Sequence, residues 1–290
     1  MLINMNEMLN IAEHYNFCVG AFNVTEVGNF KSVFGEAERL KSPAIIQVNA
    51  GELAFAGTEF FGYIRPLLMN SRVPYVLHLD HGKTIRDCLM AVKAGFTSVM
   101  IDGSLLPFQE NVELTKQAVA IAHPINISVE GELGTIGEAL QSDEGGTSEI
   151  KYTEPEEAED FVKKTGIDCL AVAIGTSHGF YPKGFVPKLQ LDRLQEIKKR
   201  VNIPLVLHGG SNNPDEEIAA ACRLGVRKVN ISTDYKSVYA FRLNEQINAD
   251  GEFKMTNLIP EAVKAAQEVI QHKMEIFDSI GKAKYYYEDL

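Results

Sequence analysis

Three of the chain's seven histidines close short apolar runs. His81 ends VPYVLHLDH (73–81), His178 lies near the end of CLAVAIGTSHG (169–179), and His208 stands before the glycines of IPLVLHGG (203–210). One such histidine is most often a hydrogen-bonded structural residue. Three at equivalent ends of parallel segments can converge on one point, and three imidazoles with an open fourth position are a ligand set for catalytic zinc. Asp80, beside His81, supplies a carboxylate placed for proton transfer next to such an ion. Gly179, Gly209 and Gly210 let backbone N–H groups approach a ligand closely. Ser211 and Thr233 add hydroxyls where a phosphate can be cradled. The blander alternative is that the glycines only make tight turns. His14, His123 and His272 fall in expected helices or loops and are assigned structural or solvent-facing roles. His78 shares a strand face with Asp80 and is expected to support the site from behind.

These residues need a scaffold that brings segment ends together. Eight apolar, β-branched runs recur along the chain: 17–24, 43–49, 73–81, 98–103, 125–134, 169–179, 203–210 and 228–233. Their near-continuous hydrophobicity suits strands buried on both faces. Helix-like stretches separate them. KTIRDCLMAVKAG carries Ile85, Leu89 and Val92 on one face and stops at Gly95; TEPEEAEDFV opens with a Thr153–Glu156 capping box; NPDEEIAAACRLG starts near Pro214 and ends at Gly225. Eight strand–helix alternations predict an α/β protein of the (β/α)8 TIM-barrel class, with the active site at the C-terminal strand ends. A doubly wound open sheet is the alternative, and NVTEVGNF after the first strand lacks its glycine fingerprint. No linker or low-complexity run divides the chain, so residues 1–290 read as a single domain. Residues 135–153 form a polar loop long enough for an active-site lid, and 234–282 read as long helices.

With 45% hydrophobic residues the chain has ample core, and its formal charge of -11 argues against nucleic acid or an anionic membrane as partner. Cys18, Cys88, Cys169 and Cys222 are widely spaced and read as buried free thiols. The N-terminus has no signal-peptide pattern and no run is long enough to span a bilayer, so a cytoplasmic location is expected.

Taken in order, GAFNV, IIQVN, LHLDHG, MIDGS, EGELGTIG, YTEPEEAEDFV, AIGTSHG, PLVLHGGS and VNISTD resemble the class II, zinc-dependent ketose-bisphosphate aldolases over nearly the whole length. The resemblance implies a lyase of carbohydrate metabolism that reversibly cleaves a phosphorylated ketose to dihydroxyacetone phosphate and an aldehyde through a zinc-stabilised enediolate. It implies zinc on His81, His178 and His208, with Asp102 and Glu132 able to hold a second or displaced metal. Asp80 becomes the acid/base at the C4 hydroxyl. Gly179, Gly209, Ser211 and Thr233 cradle the phosphate of dihydroxyacetone phosphate, while Asn23 and Asn230 line the pocket. A monovalent cation (Na+ or K+) near the carbonyls of Gly179 and Gly209, and a homodimer or homotetramer, are further implications. No lysine is expected inside a strand, in keeping with a mechanism that uses no Schiff base.

Four positions depart from the family pattern. Asn49 stands where a serine contacts the far phosphate, Ser232 replaces an aspartate, and Lys236 replaces an arginine, with Lys273 the other cation in view; lysine lacks the planar fork that grips an oxyanion twice. Leu140 occupies the place of a lid glutamate, for which Glu138, Asp143 or Glu144 are the candidate substitutes. The changes gather at the far end of the substrate and in the lid. Ordinary drift, a tagatose-type substrate, and a sulfonate in place of the distal phosphate all fit. The last would be 6-deoxy-6-sulfofructose 1-phosphate, giving sulfolactaldehyde. The competing classes are a non-catalytic, zinc-bound regulatory subunit and another metal-dependent barrel enzyme, such as an epimerase or phosphohydrolase.

Overall fold

The computed structural model describes residues 1–138, 140, 147 and 150–288, without the side chains of Glu138, Asp250 and Glu288. Eight strands, β1 (Val19–Asn23), β2 (Ala44–Asn49), β3 (Tyr75–Gly82), β4 (Ser98–Ile101), β5 (Ser128–Leu133), β6 (Cys169–Val172), β7 (Leu205–Leu207) and β8 (Val226–Ile231), pair in parallel with their chain neighbours, and β8 pairs with β1. The closed barrel is the expected (β/α)8 TIM fold. A helix follows each strand on the outside: Val27–Leu40, Ala50–Asn70, Ile85–Lys93, Phe108–Ala122, Pro155–Thr165, Leu191–Arg200, Asp215–Arg223 and Thr233–Asp250. The helix Met255–Ile276 then packs across the first and last of these. Among the described residues, no helix is long and apolar enough to cross a membrane.

The period-two alternation of each strand divides the barrel interior into two levels. Val19, Ala21, Ile45, Val76, Ala171 and Val206 form the lower level and pack against Met5, Met8, Leu9 and Phe17, which plug the N-terminal mouth. Full burial of each of these large plug side chains contributes roughly 1.5–3 kcal/mol. Two residues further along the same strands the interior turns polar. Asn23, Gln47, His78, Asp80, Glu130, Glu132, His208, Lys228 and Asn230 are all at most 2% exposed. Buried polar groups at this density must satisfy one another or a ligand.

Several local expectations are corrected. The sixth run is not one strand. β6 ends at Val172, the chain turns through Gly175 (φ +120°), and Ser177–His178 pairs instead with Gly137–Glu138 in a small two-stranded sheet above the barrel. Thr153 does not box-cap its helix; Glu154 holds the N-cap position, and the Thr153 hydroxyl donates to the Leu133 carbonyl. The helix after β3 packs Ile85 and Val92 against the core as expected, together with the buried Cys88 and Ala91, while Leu89 is 49% exposed and lies off that face. Lys228 does lie inside a strand, with its ammonium bound to both oxygens of Glu130 at 2.9 and 3.2 Å. All four cysteines are buried and free, as expected.

Candidate active site

The C-terminal mouth of the barrel collects the predicted histidines. Ligand atoms of His81, His178 and His208 lie within 4.8 Å of one another, and so do those of His81, Asp102 and Glu132. Three nitrogens at that spacing can close on one ion at about 2.0–2.1 Å. Each end ring is fixed through its other nitrogen. His81 Nδ1 meets Asp102 Oδ2 at 3.1 Å, and His208 Nε2 meets Glu130 Oε1 at 2.8 Å. The remaining nitrogens, His81 Nε2 and His208 Nδ1, are buried without a hydrogen-bond partner, as is Glu132 Oε2. Orphaned buried nitrogens on rings anchored by carboxylates are the arrangement a metal requires of its ligands. His81 also holds a left-handed backbone (φ +47°), a strained conformation for a residue with a Cβ, which turns its ring toward the other two.

Behind these rings lies a buried charge network. Burial disfavours the Glu130 charge, but Lys228 and the His208 hydrogen bond outweigh it and hold the carboxyl well below its usual range. Burial would lower the Lys228 amine, yet Glu130 and Asp80 raise it above its ordinary value, so it stays protonated and is not a nucleophile. His78 sits under this pair, bonded to Ser98 Oγ at 2.8 Å and 3.5 Å from Glu130 Oε2; burial first, then Lys228, keeps it neutral with a pKa of about 3. Burial lowers His208, but its hydrogen bond to Glu130 and the Glu132 carboxylate 3.4 Å from its Nδ1 lift it to about 10. A site that favours imidazolium is one in which excess carboxylate awaits positive charge, and a divalent ion can supply it.

Asp80 is fully buried beside this cluster. Burial pushes its carboxyl up, but His81, Lys228 and His208 together hold it at about 2, so it is a carboxylate at neutral pH. Asn230 Nδ2 donates to Oδ1 at 3.0 Å and Gln47 Nε2 to Oδ2 at 3.1 Å, which fixes its plane. Gln47 also reaches Asn23 Oδ1 at 2.8 Å.

On the other side, three segments form a glycine-lined cradle. Gly179 and Gly209 adopt positive φ (+90° and +60°), and a Cβ on Gly209 would lie 2.8 Å from the Ser177 carbonyl oxygen. Asn212 Nδ2 donates to the Gly179 carbonyl at 3.1 Å. Ser211 Oγ accepts the backbone N–H groups of Ser232 and Asp234, at 3.3 Å each, where Thr233 begins its helix. The cradle thus opens on a helix N-terminus, where N–H groups favour an anion.

The other predicted residues are spread from the mouth to the surface. Asn49 is the N-cap of the helix Ala50–Asn70, in a capping box with Glu52. Lys236 pairs with Glu52. Lys273 is buried and pairs with Asp234 Oδ2 at 2.8 Å, beside the cradle rather than at the far end. Leu140 forms an antiparallel bridge with Phe180, its side chain 62% exposed. Asp143 and Glu144 lie outside the described residues, and so does the side chain of Glu138. His14 is exposed, while His123 and His272 bind Asp168 and Asp215 near the surface.

Lys228, Gln47 and Glu52 were not singled out by residue type. Two of them lie two residues before a predicted site residue on the same strand face (Gln47 before Asn49, Lys228 before Asn230). Glu52 completes an N-x-x-E capping pattern from Asn49.

The fold and the mouth together define a TIM-barrel protein with a three-imidazole cluster able to hold a metal ion beside a buried carboxylate. The sequence profile of the family described as "Fructose-bisphosphate aldolase class-II" matches residues 3–282. A fructose-bisphosphate aldolase of Geobacillus stearothermophilus is 39% identical over 287 residues, covering 97% of this chain and 99% of that one. A 6-phospho-5-dehydro-2-deoxy-D-gluconate aldolase of Halalkalibacterium halodurans is 36% identical over 288 residues, 98% of each chain. The crystal structure of the YdjI aldolase from Escherichia coli K12 superposes with a TM-score of 0.86 at 33% identity, covering 98% of this chain and 100% of that one. The chain belongs to the class II fructose-bisphosphate aldolase family.

Proposed function

We propose that this chain is a zinc-dependent aldolase that reversibly cleaves a ketose 1-phosphate to dihydroxyacetone phosphate and an aldehyde. One observation carries the reading: two buried imidazole nitrogens without a hydrogen-bond partner, on His81 and His208, belong to one three-histidine cluster beside the Asp80 carboxylate. His81, His178 and His208 would hold the ion, with Asp102 and Glu132 offering a second position around His81. Bound there, zinc supplies a Lewis acid for the C2 carbonyl and the adjacent hydroxyl oxygen of the substrate.

The chain's own groups do the rest. Asp80 accepts the C4 hydroxyl proton as the C3–C4 bond breaks; the C4–O bond becomes the aldehyde carbonyl and the electron pair passes to C3, conjugated with C2. Asn230 and Gln47 keep the Asp80 oxygens aimed throughout. Gly179, Gly209, Ser211 and Thr233 hold the phosphate at the helix N-terminus, fixing C1 to C3. An acidic residue of segment 138–144 then protonates C3, the task for which Leu140 has no proton. The Gly179 and Gly209 carbonyls accept one amide N–H each, leaving a second lone pair apiece for a monovalent cation. We further take residues 1–290 to act as one domain, in a cytoplasmic homodimer or homotetramer.

The test is release of dihydroxyacetone phosphate, with and without chelator, from fructose 1,6-bisphosphate, tagatose 1,6-bisphosphate, their 1-monophosphates and 6-deoxy-6-sulfofructose 1-phosphate. Chelator-sensitive release from any of them is the expected result. A zinc-loaded chain that releases none from this panel would instead be a regulatory subunit or an enzyme of another reaction.

A further inference from the structure

From Asp80 a line of hydrogen bonds runs around the mouth through β2 and β1 to the helix Thr233–Asp250. Gln47 Nε2 links Asp80 to Asn23, Asn23 Nδ2 donates to Glu52 Oε2 at 3.0 Å, and Glu52 Oε1 is ion-paired with Lys236. With Asp80 at the C4 hydroxyl, the aldolase reading assigns Asn23 and Glu52, the next members of this line, to C5 and C6. The structure therefore bears on the distal half of the substrate, given the aldolase reading above.

A distal phosphate needs uncompensated positive charge or several converging donors. The cation this line presents is Lys236, and Glu52 neutralises it. Glu52 has little freedom to leave. Its Oε2 also accepts the Asn49 backbone N–H at 3.1 Å, while the Asn49 side chain caps the Glu52 N–H at 2.8 Å, so turning the carboxylate away from Lys236 would undo part of a helix cap. The pair is mostly enclosed, with Lys236 20% and Glu52 11% exposed, so water screens it poorly. An arriving dianion would meet a net-neutral pair with a carboxylate on its near side.

The two amides that hold Asp80 add a second observation. Gln47 Oε1 and Asn230 Oδ1 are buried acceptors without a hydrogen-bond partner. Their orientation is fixed, because each amide nitrogen must face the Asp80 carboxylate, which only accepts. An unpartnered amide oxygen is satisfied by a hydroxyl and not by a sulfonate, a carboxylate or the dianion that predominates for a phosphate monoester at neutral pH, since none of these has a proton to donate. We infer that the distal end of the pocket takes an uncharged, hydroxylated chain, so that the substrate is a ketose 1-monophosphate and the aldehyde product is a neutral sugar aldehyde.

The zinc-loaded enzyme tests this directly. Values of kcat/KM for dihydroxyacetone phosphate release are compared between fructose 1-phosphate and fructose 1,6-bisphosphate, between the two tagatose counterparts, and with 6-deoxy-6-sulfofructose 1-phosphate. The better monophosphate should exceed every substrate with a charged C6 by about tenfold or more, since like-charge juxtaposition in a poorly screened site is costly. Glu52→Gln, which frees the Lys236 charge, should shrink that ratio by raising kcat/KM for the bisphosphate relative to the monophosphate. A wild-type preference for the bisphosphate or the sulfonate overturns the distal assignment and leaves the aldolase reading standing. No turnover of any substrate overturns both. The wild-type comparison decides the matter even if the Glu52 variant does not fold.

Discussion

Replacing Lys228 by Met removes a buried ammonium and leaves its partner carboxylate behind. Lys228 and Glu130 are both wholly buried, and the wild-type pair is joined at 2.9 and 3.2 Å. Without the lysine, Glu130 keeps His208 Nε2 at 2.8 Å and His78 Nε2 at 3.5 Å, contacts that do not replace a full charge. Deleting one partner of a buried pair costs about 3–5 kcal/mol. For a chain of this size each kcal/mol moves the midpoint by roughly 2–4 °C, so Lys228→Met should melt about 6–20 °C lower at pH 7. The pH dependence carries a definite sign. In the wild type the Glu130 pKa is held below the ordinary 4.5, so its contribution is present above that value and is lost as pH falls further. In the variant, burial without Lys228 raises the same carboxyl, and protonation relieves the penalty. The deficit should therefore be greatest near neutrality and narrow below pH 4.5. Thermal unfolding of the zinc-free proteins across this range measures it. A variant melting within about 2 °C of wild type, or a deficit that does not change with pH, would refute the idea that this pair supports the barrel mouth.

Further predictions concern the mouth itself. Asp80→Asn should bind zinc as the wild type does and lose about 10²–10⁴-fold in kcat, since only the proton acceptor is gone; a smaller loss in steady-state kinetics would move the acid/base role elsewhere. His208→Ala should weaken zinc binding by more than about 100-fold in a competitive chelator titration, and unchanged affinity would remove His208 from the ligand set. Gly209→Ala places a Cβ 2.8 Å from the Ser177 carbonyl at φ +60°. It should cost about 1–3 kcal/mol of stability and raise KM with zinc content unaltered; wild-type KM and melting would show that the cradle tolerates a side chain.

The barrel was legible because buried parallel strands are continuous apolar runs, and each run sits before a helix with its own stop or start residue. His81 and His208 were legible for the same reason, as strand-end residues of a type that binds metal. His178 was found by residue type although its strand assignment was wrong: Gly175 takes the chain out of the barrel before Ser177 and His178, a turn that the apolar run conceals. Lys228 was missed because it begins a motif and looks like a solvated strand start. Its partner Glu130 lies on β5, 98 residues earlier, and nothing local marks the pair. Asn49 and Lys236 were read one residue at a time as contacts for the far end of the substrate. Glu52, which binds both, became visible only when the helix after β2 folded back over the mouth.

The central claim is that the three imidazoles and the cradle act on dihydroxyacetone phosphate, whatever aldehyde is joined to it. Hydrogen exchange at its hydroxymethyl carbon isolates that half of the reaction. In D2O, the zinc-loaded chain should replace one of the two hydrogens stereospecifically, followed by proton NMR, and chelation should stop the exchange until zinc is restored. A zinc-loaded chain that leaves both hydrogens in place would contradict the account.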